Sequence, residues 1–245
     1  MKKVFVVFAV SAMVVGLLVS CVSAKASGRK SEGVMTYAEY VDAGIDSEVT
    51  VETYVQGADS WFDGKITLYT QDEDGGYFIY EMPCTEKEAG KLVPGTRLKV
   101  TGIKSEWQGE IEIINAVFEI EDGFFIAEPE DVTGLLGEDG LIHSMNRLVS
   151  FKGLEVVASE GQDGTVAPFL YKWDGSGKEG DDVYFNVSKN ETTFTFLVRS
   201  YLTGPDTEVY RSAKELKIGD IIDCEGFLYW YEGVNPHITS IAVAH

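Results

Sequence analysis

The chain has 245 residues, with 40 acidic against 20 basic side chains and a formal net charge of −20 at pH 7. Such a length suits one large domain or two of about 100 residues. The acidity lacks the basic face with which nucleic-acid binders neutralise phosphates, and it opposes direct adsorption to anionic lipid.

Lys2 and Lys3 precede an apolar run from Val4 to Val19, which closes in Leu18-Val19-Ser20-Cys21. A membrane-spanning helix needs ~20 apolar residues, so a shorter run ending in small residues has the form of an export signal. The pattern resembles the lipobox of bacterial lipoproteins, with Leu18 three before the cysteine and Ser20 just before it. That resemblance implies a signal peptide over residues 1–20 and a lipid on Cys21. The lipid would attach the protein to a membrane of the cell envelope, outside the cytoplasm. An ordinary secretory signal cleaved near Ala24 or Ala26 is the alternative. Residues 21–33 are small and polar, as a flexible tether should be.

Thr36-Tyr-Ala-Glu39 has the spacing of a capping box and predicts a short helix stopped by Gly44. From Glu48 the period becomes two, with Val49, Val51, Thr53 and Val55 on one face of a first strand. Lys65 to Gln71 and Tyr77 to Met82 form a hairpin around Asp72-Glu-Asp-Gly-Gly76. Thr85-Glu-Lys-Glu88 opens a second helix, which ends before Pro94-Gly95. Strands from Arg97 to Glu106 and from Ile111 to Ile120 complete the unit.

A second unit follows a glycine-containing connection, in which a short helix is expected near Ile142 to Asn146. Gly219, Gly226 and Gly233 stand 124 residues after Gly95, Gly102 and Gly109, with Leu216, Ile222, Cys224, Phe227 and Tyr231 answering Leu92, Leu98, Val100, Ile103 and Trp107. Further on, Ile238 answers Ile114. Three glycines matched without a gap and in apolar phase indicate a duplicated domain. Val149 and Phe151 stand only 100 residues after Val49 and Val51, so the second unit gains 24 residues between Ala158 and Asp206. Within that stretch Val183 to Val187 and Thr193 to Val198 alternate as strands. Ser212-Ala-Lys-Glu215 predicts another capped helix, followed by strand four and a last strand ending at Val243. The apolar phase switches at Gly102 and Gly226, which predicts a bulge or bend at each.

The order β-β-β-α-β-β is that of an OB-fold. The expected fold class is mainly β: two consecutive five-stranded Greek-key barrels, each with a short helix between strands three and four. The first barrel is expected over residues 34–122, a connection over 123–146, and the second barrel over 147–245. The Gln71-Asp72 hairpin, the Pro94-Gly95 and Gly219-Asp220 entries to strand four, and Phe227 to Ile238 resemble tandem OB-fold modules of exported bacterial lipoproteins. The resemblance implies a binding module without naming its ligand.

OB-folds take ligands on the face of strands two and three, between the loops after strands one and four. In the first unit these positions carry Trp61, Phe62, Tyr69, Tyr77, Tyr80, Trp107 and Gln108, edged by Asp59, Asp63 and Glu106. Two indoles flanking a shallow cleft suit a sugar ring or a peptide; the bland alternative is that these rings plug the barrel ends. In the second unit the candidates are Tyr171, Trp173, Trp230 and Tyr231, with contact between the domains as the competing explanation. We therefore expect a non-catalytic, envelope-anchored module that recognises an oligosaccharide or another envelope component. A protein-interaction scaffold is the alternative, and nucleic acid is disfavoured by charge.

No nucleophile, zinc or phosphate-loop motif is present, so neither enzyme activity nor a cofactor is expected. The acidic turn at Asp72 lacks the later oxygen ligands of a calcium loop, and no metal is expected there. Cys84 and Cys224 are expected as free thiols, with Cys224 buried in a strand.

Overall fold

The computed structural model describes residues 30–244. The export signal, the Cys21 lipidation site, the tether up to residue 29 and His245 lie outside the described residues.

Helix α1 (Tyr37–Asp42) begins at the expected capping box. The Thr36 hydroxyl accepts the Glu39 N–H at 3.2 Å, and the Glu39 carboxylate accepts the Thr36 N–H at 2.8 Å. The other end is held from a distant strand. The Lys104 ammonium donates to the carbonyls of Tyr40, Val41 and Ala43 at 2.9, 2.8 and 2.7 Å. A helix C-terminus leaves such oxygens unpaired, and its dipole favours a cation there.

The first barrel comprises β1 (Glu48–Ala58), β2 (Lys65–Gln71), β3 (Gly76–Pro83), β4 (Thr96–Trp107) and β5 (Glu110–Phe124). They close in the order β1-β2-β3-β5-β4, with β4 pairing back onto β1. Only the β3–β5 pair is parallel among these neighbours. Helix α2 (Glu86–Ala89) sits between the third and fourth strands, opened by the Thr85 capping box. The even and odd faces separate as the period-two pattern requires: Val49, Val51, Leu68, Ile79, Leu98 and Val100 fill the interior.

In the connection, β6 (Glu130–Asp131) lies parallel to the next strand, and the short helix takes 3-10 form over Asp139–Ser144. Val132, Leu136 and Leu141 of this segment are buried in the second core. The second barrel contains β7 (Leu148–Val157), then the short β8 (Ser159–Glu160), β9 (Val166–Ala167) and β10 (Leu170–Tyr171) of the insertion. After these come β11 (Val183–Lys189), β12 (Thr192–Val198), helix α3 (Glu208–Glu215), β13 (Ile221–Phe227) and β14 (His237–Val243). Pairing of β11 with β7 closes a five-strand ring β7-β11-β12-β14-β13, which repeats the order of the first barrel. The fold is thus a tandem of OB-fold-like barrels. Both cysteines among the described residues are free.

Three local expectations are corrected. Helix α3 starts at Thr207, whose hydroxyl accepts the Tyr210 N–H at 3.3 Å, and Ser212 lies inside it. Thr207 has Tyr210 rather than Glu or Gln three residues on, so the reciprocal half of a capping box is missing from its sequence. Second, the inward phase of β4 does not switch at Gly102, because even positions continue inward to Lys104. The bulge lies in the partner strand. β5 gains a residue between Ile114 and Val117, and β14 gains one between Ile238 and Ser240. Glycine is needed opposite because the strands crowd together. A Cβ on Gly102 would stand 2.6 Å from Ile113 Cγ2, and one on Gly226 2.3 Å from the His237 carbonyl oxygen. Third, strand five is displaced by one residue between the repeats. Ile103 faces Ile114 whereas Phe227 faces His237, so His237 corresponds to Ile114. The chain leaves the ladder between β13 and β14, whereas β4 turns straight into β5.

Candidate functional site

The two barrels present their strand-two and strand-three faces differently. On the first, Tyr69 from β2 and Phe78 from β3 point outward, yet each is only 2–3% exposed. The second barrel covers them. Phe227 stacks on Tyr69 with ring centroids 4.6 Å apart and planes at 20°, and Tyr229 meets Phe78 edge-on at 5.2 Å. A Cβ on Gly57 would approach Phe227 to 2.7 Å, so this glycine makes room for the ring. The Tyr69 hydroxyl lies 2.7 Å from His237 Nδ1. Burial, then the nearby Arg199 guanidinium, hold the His237 pKa well below its ordinary value, and burial raises that of Tyr69. The contact thus joins a neutral phenol to a neutral imidazole. Around this contact Arg199 grips Asp59 Oδ2 at 2.9 and 3.0 Å, and the Leu148 N–H donates to Gln71 Oε1 at 2.8 Å.

On the second barrel the equivalent face stays open. Outward side chains Tyr184 and Asn186 of β11 and Thr195 and Leu197 of β12 help to line a cleft of about 800 Å³. Trp173 from the insertion and Tyr229 and Tyr231 from the loop after β13 line it too, and so does Trp107 at the end of the first barrel's β4. Trp107 and Tyr231, the matching positions of the two repeats, thus meet at one site. Trp107, Trp173 and Tyr231 are 58%, 66% and 50% exposed. Two successive residues with positive φ turn each strand-four loop, Gln108-Gly109 and Glu232-Gly233. The Gln108 carbonyl accepts the Glu232 N–H at 2.8 Å, which ties the loops together.

The polar groups of the cleft are mixed. Glu160 and Glu232 contribute carboxylates and Arg199 a guanidinium already paired with Asp59. Tyr184 is pushed up to about 12, by burial first and by Asp182 second, and burial also raises Tyr229. At neutral pH both are uncharged. The cleft therefore offers aromatic faces and neutral hydrogen-bonding groups.

The structure distributes the sequence candidates unevenly. Trp107, Trp173 and Tyr231 converge, while Gln108 contributes its backbone to the loop tie. Trp61 is not among the lining residues of this cleft; its indole N–H donates to the Cys84 carbonyl at 3.0 Å. Phe62 and Tyr80 line a separate recess of about 300 Å³ beside Lys65 and Arg199. Tyr69 is interface. Tyr77 faces inward, its hydroxyl donating to Asp72 Oδ2 at 3.1 Å and its ring meeting Tyr40 at 4.9 Å. The Asp72 carboxylate also accepts the N–H groups of Asp74 and Gly75 and pairs with Lys30, so the acidic turn is internally satisfied. Tyr171 packs on Phe169 at 5.5 Å against the second core, and Trp230 turns away from the cleft. Tyr184, Asn186 and Arg199 join the cleft without belonging to any of the sequence candidates. The alternation of Val183-Tyr-Phe-Asn-Val187 does place Tyr184 and Asn186 outward once the inward set is known.

No family model matches the chain, and no curated protein matches it. Among solved structures it is similar to a murine DNA binding protein bound with double-stranded DNA, at 12% identity and TM-score 0.38, covering 80% of this chain and 96% of that one. It is similar to a replication protein A heterotrimer bound to single-stranded DNA, at 9% identity and TM-score 0.34, covering 81% and 49%. The single-stranded DNA binding protein from Thermus aquaticus is similar at 12% identity and TM-score 0.24, covering 81% and 92%. Each is described as DNA-binding or DNA-bound. The expectation of an oligosaccharide or envelope-protein ligand, with nucleic acid excluded, is corrected accordingly. Its geometric basis differs too, since the cleft that Trp107 lines does not include Trp61. At these TM-scores the likenesses do not assign a ligand to this chain.

Proposed function

We propose that the open face of the second barrel binds ligands that present planar bases, either as free nucleosides or as the bases of a short single strand. One observation carries this reading: three half-exposed aromatic rings, Trp107, Trp173 and Tyr231, line the ligand face that the other barrel leaves uncovered. Bases stack on such platforms with about 1–3 kcal/mol each, whatever their sequence. With a chain charge of −20 and with Glu160 and Glu232 in the cleft, phosphates contribute little attraction. Stacking supplies the affinity.

Titration of tryptophan fluorescence with adenosine, thymidine and a thymidine hexanucleotide tests this. Saturable quenching that is lost in the Trp107→Ala, Trp173→Ala double variant is the expected result. Salt separates the two sources: nucleoside binding stays flat, while hexanucleotide binding tightens as added salt screens repulsion. Absence of saturable quenching by every base would overturn the reading.

We further infer that the chain is exported and held at a membrane through a lipid on Cys21. The apolar run and the Leu18-Val19-Ser20-Cys21 sequence support this reading. Labelled fatty acid should enter the wild type and not Cys21→Ala; equal labelling, or none in either, would count against it.

A further inference from the structure

Trp230 points away from the cleft that its neighbours Tyr229 and Tyr231 line, toward a cavity of about 720 Å³ on the other side of the same segment. The β4–β5 hairpin is divided in the same way, with Trp107 in front and Glu106 and Gly109 behind. A partition two chain segments wide therefore separates the cavities. It is fastened by the Glu232 N–H donating to the Gln108 carbonyl and by the Trp230 N–H donating to Glu110 Oε2, both at 2.8 Å. Tyr37, Ile111, Ile142, Met145 and the Trp230 ring wall the rear cavity.

Two of its polar side chains are engaged. The Lys104 ammonium is taken by three carbonyls of the α1 end, and the Asn146 amide nitrogen donates to the Ile111 carbonyl at 2.9 Å. The Trp230 indole N–H, the Tyr37 hydroxyl and the His143 ring make no hydrogen bond among the described residues, the Tyr40 hydroxyl is buried without a partner, and Asp42 and Glu106 bring carboxylates to the lining. An anion would be repelled by those carboxylates, and a cation would shed water against apolar walls.

We propose that the rear cavity is a second binding site, for an uncharged, ring-bearing small molecule with a hydrogen-bond acceptor that meets the Trp230 indole. Its volume falls in the range of small-molecule pockets, and its walls are mainly apolar with a few free polar groups, the Trp230 indole N–H among them, as such pockets are built.

The test uses the full chain labelled with nitrogen-15, titrated with 2-acetylnaphthalene, naphthalene and 2-naphthoate. With the ketone, the Trp230 indole N–H resonance moves saturably while those of Trp107 and Trp173 stay nearly still. Naphthalene, which lacks the acceptor, binds about fivefold more weakly, and the naphthoate anion more weakly than the ketone. Ile142 and Val41 are 44% and 53% exposed, so Ile142→Trp and Val41→Trp fill the cavity from two different helices without entering the core. Either variant that folds should lose ketone binding tenfold or more. An unmoved Trp230 resonance, naphthoate binding as tightly as the ketone, or unchanged binding in both filling variants would overturn the proposal.

Discussion

The two barrels share one ring order and one set of inward positions, and they differ in what lies over their ligand faces. On the first, Tyr69 and Phe78 are sealed by Phe227 and Tyr229 of the second. On the second, Tyr184 and Asn186 look into an open cleft extended by the insertion and by Trp107 of the first. Duplication thus leaves one face sealed by the other barrel and one open. Small substitutions decide the roles. Phe227 replaces Ile103, and with it the second repeat has a ring long enough to reach the partner barrel.

The largest effect is expected from breaking the sealed face. Phe227→Ala removes a ring that is 3% exposed and stacked on Tyr69. The loss should be about 3–5 kcal/mol in urea denaturation. A loss below about 1 kcal/mol would mean that the barrels are not held together by this contact. Lys104 and Leu228 occupy matching places in the repeats, and both are buried. Lys104→Leu makes the first barrel resemble the second but strands three α1 carbonyls, at a cost of about 2 kcal/mol. Hydrogen exchange should report the damage at Tyr40 to Ala43 first.

On the open face, Trp107→Ala and Trp173→Ala should each weaken base binding by about 1–2 kcal/mol, or five- to thirtyfold. Trp61→Ala should leave affinity unchanged, since its indole is tied to the Cys84 carbonyl away from the cleft. Equal losses from all three would show that the two faces are not distinguished in this way.

The smallest effect is a pH dependence at the interface. Buried His237 stays neutral in the folded chain, while the unfolded chain takes up a proton below its ordinary pKa of about 6.5. A histidine with a lowered folded pKa binds fewer protons folded than unfolded. Its contribution is therefore fully present above about 6.5 and declines as pH falls, by at most about 1.4 kcal/mol per pH unit. His237→Gln should make the stability curve between pH 7 and 5 shallower than that of the wild type. Parallel curves would show that His237 protonates as readily folded as unfolded.

Local patterns were legible where local physics sets them. Both Thr-x-x-Glu capping boxes, the β2 limits at Lys65 and Gln71, and the glycines at the strand-four loops follow from hydrogen bonds and φ angles within a few residues. The inward alternation of Leu98, Val100, Ile222 and Cys224 was equally plain, and all four are buried. The fate of outward rings was not. Nothing within strand β2 distinguishes a Tyr69 that faces a ligand from one that faces a second barrel, because the covering surface lies some 160 residues further along the chain.

By itself, then, the sequence determined a duplicated chain, two β-β-β-α-β-β units and the turns that close them, since alternation, caps and tight turns are enforced by neighbouring residues. Tertiary structure alone decided that Trp107 joins Trp173 and Tyr231, that Tyr69 is sealed, and that Trp230 faces a cavity of its own. Those outcomes depend on how one barrel docks on the other. Docking is a property of two curved surfaces, set by ring stacking, one ion pair and close backbone approach, and no periodicity along the chain encodes it.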